Sequence, residues 1–519
     1  MNRFPAWLGA LAVLSLGSAR GQGTSTGEVP GGSTPTKTQV FSDLAGRYRF
    51  SERYTTEDKQ AGPGVIGSYR VATLEVVRDS FDSAQGAPRR VESTRQVIYA
   101  ERPGVTGNAG AVVVTSTRAF EKFQARPADP RPTAPPTLEG LAVLVRPRVG
   151  ELPTVLTLTP GRALAATEFG VISRQAYVPH LPGLLPVQSV RLGDTWRVPR
   201  KAVQALLGEP YLQADSVTGK LTELRKEVDG PRMVASITVS GKVSGPGGDS
   251  TVNAEVLFTF QAPKARDDPA SRKPSVIPRP MDDLVEARGA ITEVRLATVA
   301  TGPLPGPGRL RFQSNRELIL HRQLGVAPGG LVPPLVEAMP EVTEANSWLT
   351  RVDPSGRFTF RHPQDLLPPD RSQPPAEPNT TLLVRTRREG RDMLQLEFAN
   401  RVLTPEDLKK ELATKYGALK MEVLKGEEAW LPEADWPGVR VHRIDAALKV
   451  DPTQAAAPGA STRIHFDGYL IQFAKAASLM AVATTSRETV APFRREAEQI
   501  LKSVQLDPNR PMASDPGGK

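Results

Sequence analysis

The sequence contains no cysteine in 519 residues and only five histidines, and aromatic residues make up 6% of it. Without cysteine there is no disulfide, no thiolate nucleophile, no cysteine zinc site and no iron–sulfur cluster. The histidines, His180, His321, His362, His442 and His465, are scattered, and neither an HExxH pattern nor a Walker loop is present. Long apolar runs are also missing. The most extended, residues 7–16 (WLGALAVLSL), has ten residues, half of the roughly 20 that a bilayer-spanning helix needs.

That run follows Arg3 and precedes Gly17-Ser18-Ala19 and Ala19-Arg20-Gly21, small residues of the kind signal peptidase cleaves after. Charged, apolar and small segments in that order predict a signal peptide over residues 1–21. The mature chain is then exported, periplasmic or extracellular, soluble and not membrane-spanning. With no cysteine after the apolar run, a diacylglycerol anchor is excluded. An exported chain of this length, worth about three domains at roughly 150 residues each, must hold together by packing alone.

The net charge of +10 divides into +8 over residues 1–350 and +2 from residue 351 onward, spread rather than gathered in a block. A basic surface attracts polyanions such as wall polymers and lipid headgroups; a solubilising surface gives the same count. The export signature and the lack of aromatics among the basic residues argue against nucleic acid.

Forty-nine prolines fall in clusters. Residues 22–39 read as a flexible lead-in, 127–136 and 262–280 as stiff connectors or long loops, 302–308 as a tight break, and 363–378 holds six prolines. Between these, residues 48–54, 69–77, 96–99, 111–117, 220–224, 233–243, 251–260, 290–301 and 309–320 carry strand composition, with turn signals at Asp229-Gly230-Pro231 and at 245–248. A short helix is expected at 199–207, ended by Gly208. Residues 40–325 therefore predict an antiparallel β region of one or two domains, with a split near 127–138, followed by a linker over 326–354.

The C-terminal third changes character. A strand at 357–361 precedes a hairpin of 381–387 and 393–398 around Glu389-Gly390. Thr404-Pro405-Glu406-Asp407 opens a helix reaching about Tyr416, with a capping threonine, proline in the first turn and acids beside the helix N-terminus. Strands at 439–450, 463–473 and 479–485 follow. In the last helix Val490, Phe493, Ala497, Ile500, Leu501 and Val504 form one apolar stripe, and residues 507–519 read as a disordered tail.

This order, together with FTFRHP at 358–363, TPEDL at 404–408, GVRVHRIDAAL at 438–448, IHFDGYLIQF at 464–473 and FRREAEQILKSVQL at 493–506, resembles the PsbP/DcrB-like α/β sandwich domains of exported proteins. The resemblance covers residues 355–506. It implies assembly, stabilising or envelope roles without a shared active-site motif or cofactor. LPGLLP at 181–186 with GDTW at 193–196 resembles uncharacterised exported bacterial proteins and implies no activity. The expected fold class is α+β: a mainly antiparallel β region, then an α/β sandwich with an antiparallel sheet.

Candidate sites are few. GPGVIG at 62–67 matches GxGxxG formally, but no strand precedes it and no helix follows; GTSTG at 23–27 sits in the polar lead-in. No catalytic residue, metal ligand or cofactor is assigned. Arg385, Arg387, Arg388 and Arg391 crowd one hairpin tip, where guanidinium forks suit an anionic ligand or partner; a charged, solubilising turn is the alternative. Trp430 and Trp436, set among Glu427, Glu428, Glu433 and Asp435, suit glycan binding. The acids alone suit glycoside hydrolysis or a solvated loop. His442 and His465 fall on adjacent strands about five positions apart, roughly 17 Å, too far for a shared metal.

These features point to an exported, non-catalytic binding or assembly protein of the cell envelope. Its partner would be an envelope protein or an anionic wall or lipid component, and the ligand and oligomeric state stay open. A polysaccharide-acting hydrolase and a lipid or lipoprotein carrier using a curved N-terminal sheet are the alternatives. A lined, open pocket on a concave sheet would favour the carrier, and two carboxyls about 5–10 Å apart in a cleft the hydrolase.

Overall fold

A computed structural model of the chain describes residues 39–40, 46–54, 65–83, 86–106, 113–126, 137–148, 150–209, 211–213, 216–227, 231–245, 248–261, 284–303, 311–325, 332–334, 336, 340–353, 356–368, 380–387, 390–418, 422–449, 463–473, 477–485 and 490–507. The expected signal peptide, the lead-in up to residue 38, the connectors at 127–136 and 262–280, and the tail from residue 508 lie outside the described residues. Two compact units are present: residues 1–162 with 167–342, and residues 163–166 with 343–519.

The first unit is built on a 13-stranded sheet. Its main strands are β1 (Arg47–Ser51), β2 (Tyr69–Ser83), β3 (Gly86–Thr106), β4 (Val113–Arg126), β5 (Ala142–Arg148), β6 (Glu151–Thr157), β7 (Thr218–Lys226), β8 (Arg232–Gly245), β9 (Gly248–Gln261), β10 (Leu284–Pro303) and β11 (Arg311–Leu324). Their order across the sheet is β7-β8-β9-β10-β11-β2-β3-β4-β5-β6, antiparallel throughout. Strand β1 joins β10 in parallel, and Gln39–Val40 and Thr195–Arg197 pair with β7. Because β4 and β5 pair, the sheet continues past residues 127–138. Proline is tolerated at Pro153 because β6 ends the sheet order and its outer edge needs no donor.

Side chains alternate between the two faces of a strand, so where one face alone is covered it buries what the other exposes. Along β9, Val252, Ala254, Val256, Phe258 and Phe260 are buried while Thr251, Asn253 and Glu255 between them are exposed. Each such side chain contributes about 1.5–3 kcal/mol when fully buried. The 3-10 segment Val178–Leu184 packs against both β4 and β10, which stand four places apart in the strand order. Val178, Pro179, Leu181 and Leu184 are buried, so the chain itself covers the buried face of the sheet there.

Helix α1 (Arg200–Leu207) packs on this segment through its buried Ala202, Val203, Leu206 and Leu207. Gly208 caps it in the left-handed conformation, φ 70°. A Cβ there would lie 2.1 Å from the Arg174 carbonyl oxygen. Gly208→Ala is expected to lower stability by at least about 2 kcal/mol, the left-handed penalty of about 1–2 kcal/mol plus the clash. Urea denaturation measures it, and a loss under about 0.5 kcal/mol would contradict this cap geometry. The GDTW motif has a packing role. Asp194 accepts from the Arg191 backbone N–H at 2.8 Å, and the Trp196 indole donates to the Leu184 carbonyl at 3.0 Å. Gly219 leaves room for that ring, since a Cβ there would sit 2.5 Å from it.

The second unit has a four-stranded sheet that includes β12 (Leu349–Val352) and β13 (Phe358–His362), and a six-stranded antiparallel sheet. The latter is formed by β14 (Thr380–Arg387), β15 (Gly390–Ala399), β16 (Glu422–Trp430), β17 (Val439–Lys449), β18 (Arg463–Phe473) and β19 (Ala477–Thr485), in the order β14-β15-β19-β18-β17-β16. Between β15 and β16 lies helix α2 (Pro405–Ala418), and after β19 comes α3 (Ala491–Lys502). Tyr469, Ile471, Leu479 and Ala481 face the cluster that holds Phe493, Ala497, Ile500 and Leu501 of α3. Their neighbours Leu470, Met480 and Val482 face Leu408 and Leu412 of α2. Strands β17 and β18 stand in the register expected from the loop between them, with His442 opposite Leu470 and His465 opposite Ala447.

The fold class corrects the expectation. The chain is mostly β, not an α+β chain ending in an α/β sandwich. The difference comes from strand length. The patches at 96–99 and 111–117 are pieces of strands of 21 and 14 residues, and residues 142–157 form an unanticipated hairpin. A continuous antiparallel ladder satisfies backbone groups through polar and charged positions that interrupt any local strand signal. The longest helix among the described residues has 14 residues, and none is long and apolar enough to cross a membrane; this says nothing of strands.

Candidate functional site

On the buried, inner face of the sheet the β8–β10 region is apolar, with Ile237, Val239, Val256, Phe258 and Val294 buried. The β11-β2-β3-β4 region differs. Cross-strand register sets Arg322 opposite Val71, Val71 opposite Tyr99, Tyr69 opposite Glu101, and Glu101 opposite Arg118. A bulge between Ile98 and Tyr99 brings Tyr99 opposite Phe120, with ring centroids 5.5 Å apart. Charged and phenolic groups thus occupy the buried phase of four adjacent strands.

Glu101 and Arg118 are fully buried and form the centre. Arg118 Nε donates to Glu101 Oε1 at 2.8 Å, and the Ser116 hydroxyl donates to the same oxygen. Arg118 Nη1 donates to Gln175 Oε1 at 3.1 Å. The guanidinium also lies over the rings of Tyr99, 5.0 Å from its centroid, and Tyr177, 5.6 Å away. Burial would lower the Arg118 pKa, but the Glu101 carboxylate reverses this and raises it. Burial first, then Glu101, pushes the Tyr177 phenol up; Tyr99 is pushed up chiefly by burial. Four buried atoms of this cluster have no partner among the described residues: Tyr99 Oη, Glu101 Oε2, Arg118 Nη2 and Gln175 Nε2. Each such orphan costs about 1–3 kcal/mol when nothing satisfies it, a large share of the roughly 5–15 kcal/mol by which a domain is stable.

Three further ion pairs extend the polar region. Arg322 Nη2 donates to Glu52 Oε1 at 2.5 Å with both side chains fully buried, and its guanidinium stacks 4.4 Å from the Tyr69 centroid. Glu52 Oε2 accepts from the Ile291 N–H at 2.8 Å. Glu75 binds Arg95 and, at 2.7 Å, Arg316. Burial raises the Glu75 pKa, but the two guanidiniums outweigh it and hold the carboxyl below its usual range. A cavity of about 260 Å³, lined by Arg70, Thr292, Glu293, His321, Arg322 and Gln323, lies where β10, β11 and β2 meet. Its charges are mutually paired, Arg70 with Glu121 at 2.7 Å and His321 with Glu293 at 3.3 Å. The hydrogen bond that His321 donates to Glu293 raises the His321 pKa.

The residues expected to bind from sequence are dispersed. Arg385 is buried, not presented at a hairpin tip. Its Nε and Nη2 contact Asp392 Oδ2 at 2.9 and 2.8 Å, and its Nη1 reaches Asp365 and Glu496, each at 3.1 Å. Arg391 is exposed, while the Arg387 side chain and Arg388 lie outside the described residues. Trp436 is buried in the α3-side core, whereas Trp430 is exposed with Arg440 4.4 Å from its centroid and His442 against its ring. The two indoles therefore do not form one glycan platform. Glu427, Glu428, Glu433 and Asp435 are exposed, and Glu428 pairs with Lys409 at 2.7 Å. Residues 23–27 and 62–64 of the two glycine motifs lie outside the described residues; Val65–Ile66 pairs in parallel with Arg53–Tyr54.

His362 is the most perturbed histidine. It is fully buried, its Nδ1–H donates to the Pro363 carbonyl at 2.9 Å, and Arg351 Nε donates to its Nε2 at 3.3 Å. Burial first, then Arg351, pushes its pKa down to about 3. The folded value lies below the unfolded one near 6.5. Its stabilisation is therefore complete above about pH 6.5 and is lost as pH falls toward 3, at up to about 1.4 kcal/mol per pH unit. His362→Gln, which cannot titrate, is expected to flatten the stability profile of the full chain between pH 6.5 and 4. An unchanged slope in denaturant titrations would refute the assignment.

Sequence reasoning missed the Glu101–Arg118 cluster. The signal was present but faint: Glu101 follows Val97 and Tyr99 at spacing two, and Arg118 sits between Ser116 and Phe120, so both charges fall in the phase of buried neighbours.

No protein-family model matches the chain, and no curated protein does. Among solved structures, Ail, the attachment invasion locus protein of Yersinia pestis, is 5% identical over 50% of this chain and 99% of its own, with a TM-score of 0.10. A DUF1329 family protein from Desulfovibrio piger is 12% identical over 49% of this chain and 86% of its own, at TM-score 0.15. Acinetobacter baumannii OccAB3 is 7% identical over 80% of this chain and 98% of its own, at TM-score 0.12. Similarities this slight bear on neither fold nor function.

Proposed function

We propose that the chain is an exported, non-catalytic binding or assembly protein of the cell envelope, and that the inner face of its large sheet is where it binds. The observation that carries this reading is the Glu101–Arg118 cluster, in which charge replaces core and four polar atoms are left without a partner among the described residues. Buried ion pairs contribute little to stability over an apolar alternative, so their presence calls for another use. Binding fits better than turnover. A hydroxyl donating to a carboxylate, as Ser116 does to Glu101, can mark an activated nucleophile. Here the accepting oxygen is already engaged by the Arg118 Nε–H, and both side chains are fully buried. The export signature at residues 1–21 supports the location.

The test has two parts. Fractionation with N-terminal sequencing of the expressed protein is expected to find it outside the cytoplasm, cleaved near residues 19–21. Thermal shift of the mature protein against glycans, phospholipid vesicles, polyanions and divalent metals, repeated at high salt, is expected to give a saturable, salt-resistant rise with one class. Cytoplasmic retention or turnover of a bound glycan would overturn the reading.

A further inference from the structure

We propose that the Tyr99–Glu101–Arg118–Gln175 cluster is a built site for a neutral hydroxyl group, an inference that rests on the binding role given above and names its chemistry. Arg118 ties the set together, bonded to Glu101 at 2.8 Å and to Gln175 at 3.1 Å and stacked on Tyr99. The atoms left over therefore belong to residues that meet at one guanidinium. They form a matched set: Arg118 Nη2 and Gln175 Nε2 only donate, Glu101 Oε2 accepts, and Tyr99 Oη does either.

That set selects its guest by exclusion. An anion would accept from the two nitrogens but face the free carboxylate oxygen, and the Arg118 charge is already matched by Glu101. A cation would meet the guanidinium. An apolar group would leave all four atoms unsatisfied. A hydroxyl accepts from Arg118 and Gln175 while donating its proton to Glu101, and its charge is zero. Two sources supply this chemistry, a water molecule held inside the sheet and a hydroxyl of a polyol or sugar that displaces it.

The experiment uses the full mature chain. Oxygen-17 magnetic relaxation dispersion counts long-lived internal waters, and thermal shift is read against glycerol, glucose and myo-inositol over a concentration series. Glu101→Gln and Tyr99→Phe, which preserve side-chain shape, serve as variants, with circular dichroism to confirm that each folds. If water is the guest, a long-lived water is lost in a variant and polyols give only non-saturating shifts. If a polyol hydroxyl is the guest, one compound gives a saturable rise, weakened at least about tenfold in a variant. Either result supports the site. Wild-type protein with neither a variant-sensitive water nor a saturable polyol shift overturns it. Export together with a saturable shift from another ligand class, unaffected by these variants, would leave the broader reading standing.

Discussion

Arg118→Met is expected to lower the stability of the first unit by about 3–5 kcal/mol, the usual result of stranding one member of a buried ion pair. Glu101 would keep its fully buried carboxylate with only the Ser116 hydroxyl against Oε1, and Gln175 Oε1 would lose its donor. Glu101→Met alone is expected to be similarly damaging, because it leaves the guanidinium among the rings of Tyr99 and Tyr177 with Gln175 as its remaining hydrogen-bond partner. The double variant Glu101→Met with Arg118→Met should recover most of the loss, since two apolar side chains of similar volume remove both desolvation penalties together. A double-mutant cycle in urea then gives a coupling energy of several kcal/mol. Additive losses would mean that the pair is not a unit. Recovery of stability accompanied by loss of ligand response would separate what the cluster does for binding from what it does for folding.

Much of the fold was legible because it is local. Strand composition, the Gly208 stop and the stripe of α3 are written in single residues and short periods, so the helix at Arg200–Leu207 and the strands Val439–Lys449 and Arg463–Phe473 fall where sequence places them. Other features depend on the strands that flank a segment. Strand β3 runs 21 residues, through Glu101, Arg102 and Pro103, because β2 and β4 flank it on both edges. Helix α2 continues past Gly417 to Ala418, one turn signal overridden by its neighbours. The mostly β class was hidden for the same reason: long ladders are a property of pairing, not of any one segment's composition.

The candidate site was less legible still. Surface expectations use residue type, and arginine near a glycine turn reads as exposed. Strand phase decides otherwise. Arg385 lies in phase with Leu383, which faces the core, and directly opposite Asp392, so its side chain points inward. Trp436 and Trp430 are six residues apart, yet one joins the core and the other stays in solvent. Glu101 and Arg118 meet through register across a long hairpin, a fact that composition does not contain.

Arg385 therefore yields the second large effect, and it separates structure from binding. One guanidinium holds Asp392, Asp365 and Glu496, which ties the β14–β15 hairpin to the turn after β13 and to α3. Thr485 donates to the other oxygen of Asp392 at 2.9 Å, and Asp392 is fully buried. Arg385→Met is expected to destabilise the second unit by about 3–5 kcal/mol at neutral pH, because three carboxylates would share a half-buried space without a cation. Burial already raises the Glu496 pKa against the opposing pull of Arg385. In the variant the Glu496 carboxyl, freed of that pull, would titrate still higher relative to the unfolded chain. The folded state then binds more protons, and the damage shrinks as pH falls through that raised value. Arg385→Lys should give an intermediate loss, since an ammonium keeps the charge but cannot form the fork with Asp392. Urea unfolding followed by tryptophan fluorescence, to which Trp348, Trp430 and Trp436 contribute, measures all three across pH 5–8. An Arg385→Met protein as stable as wild type, but deficient in anion binding, would instead restore Arg385 to the surface role its sequence setting suggested.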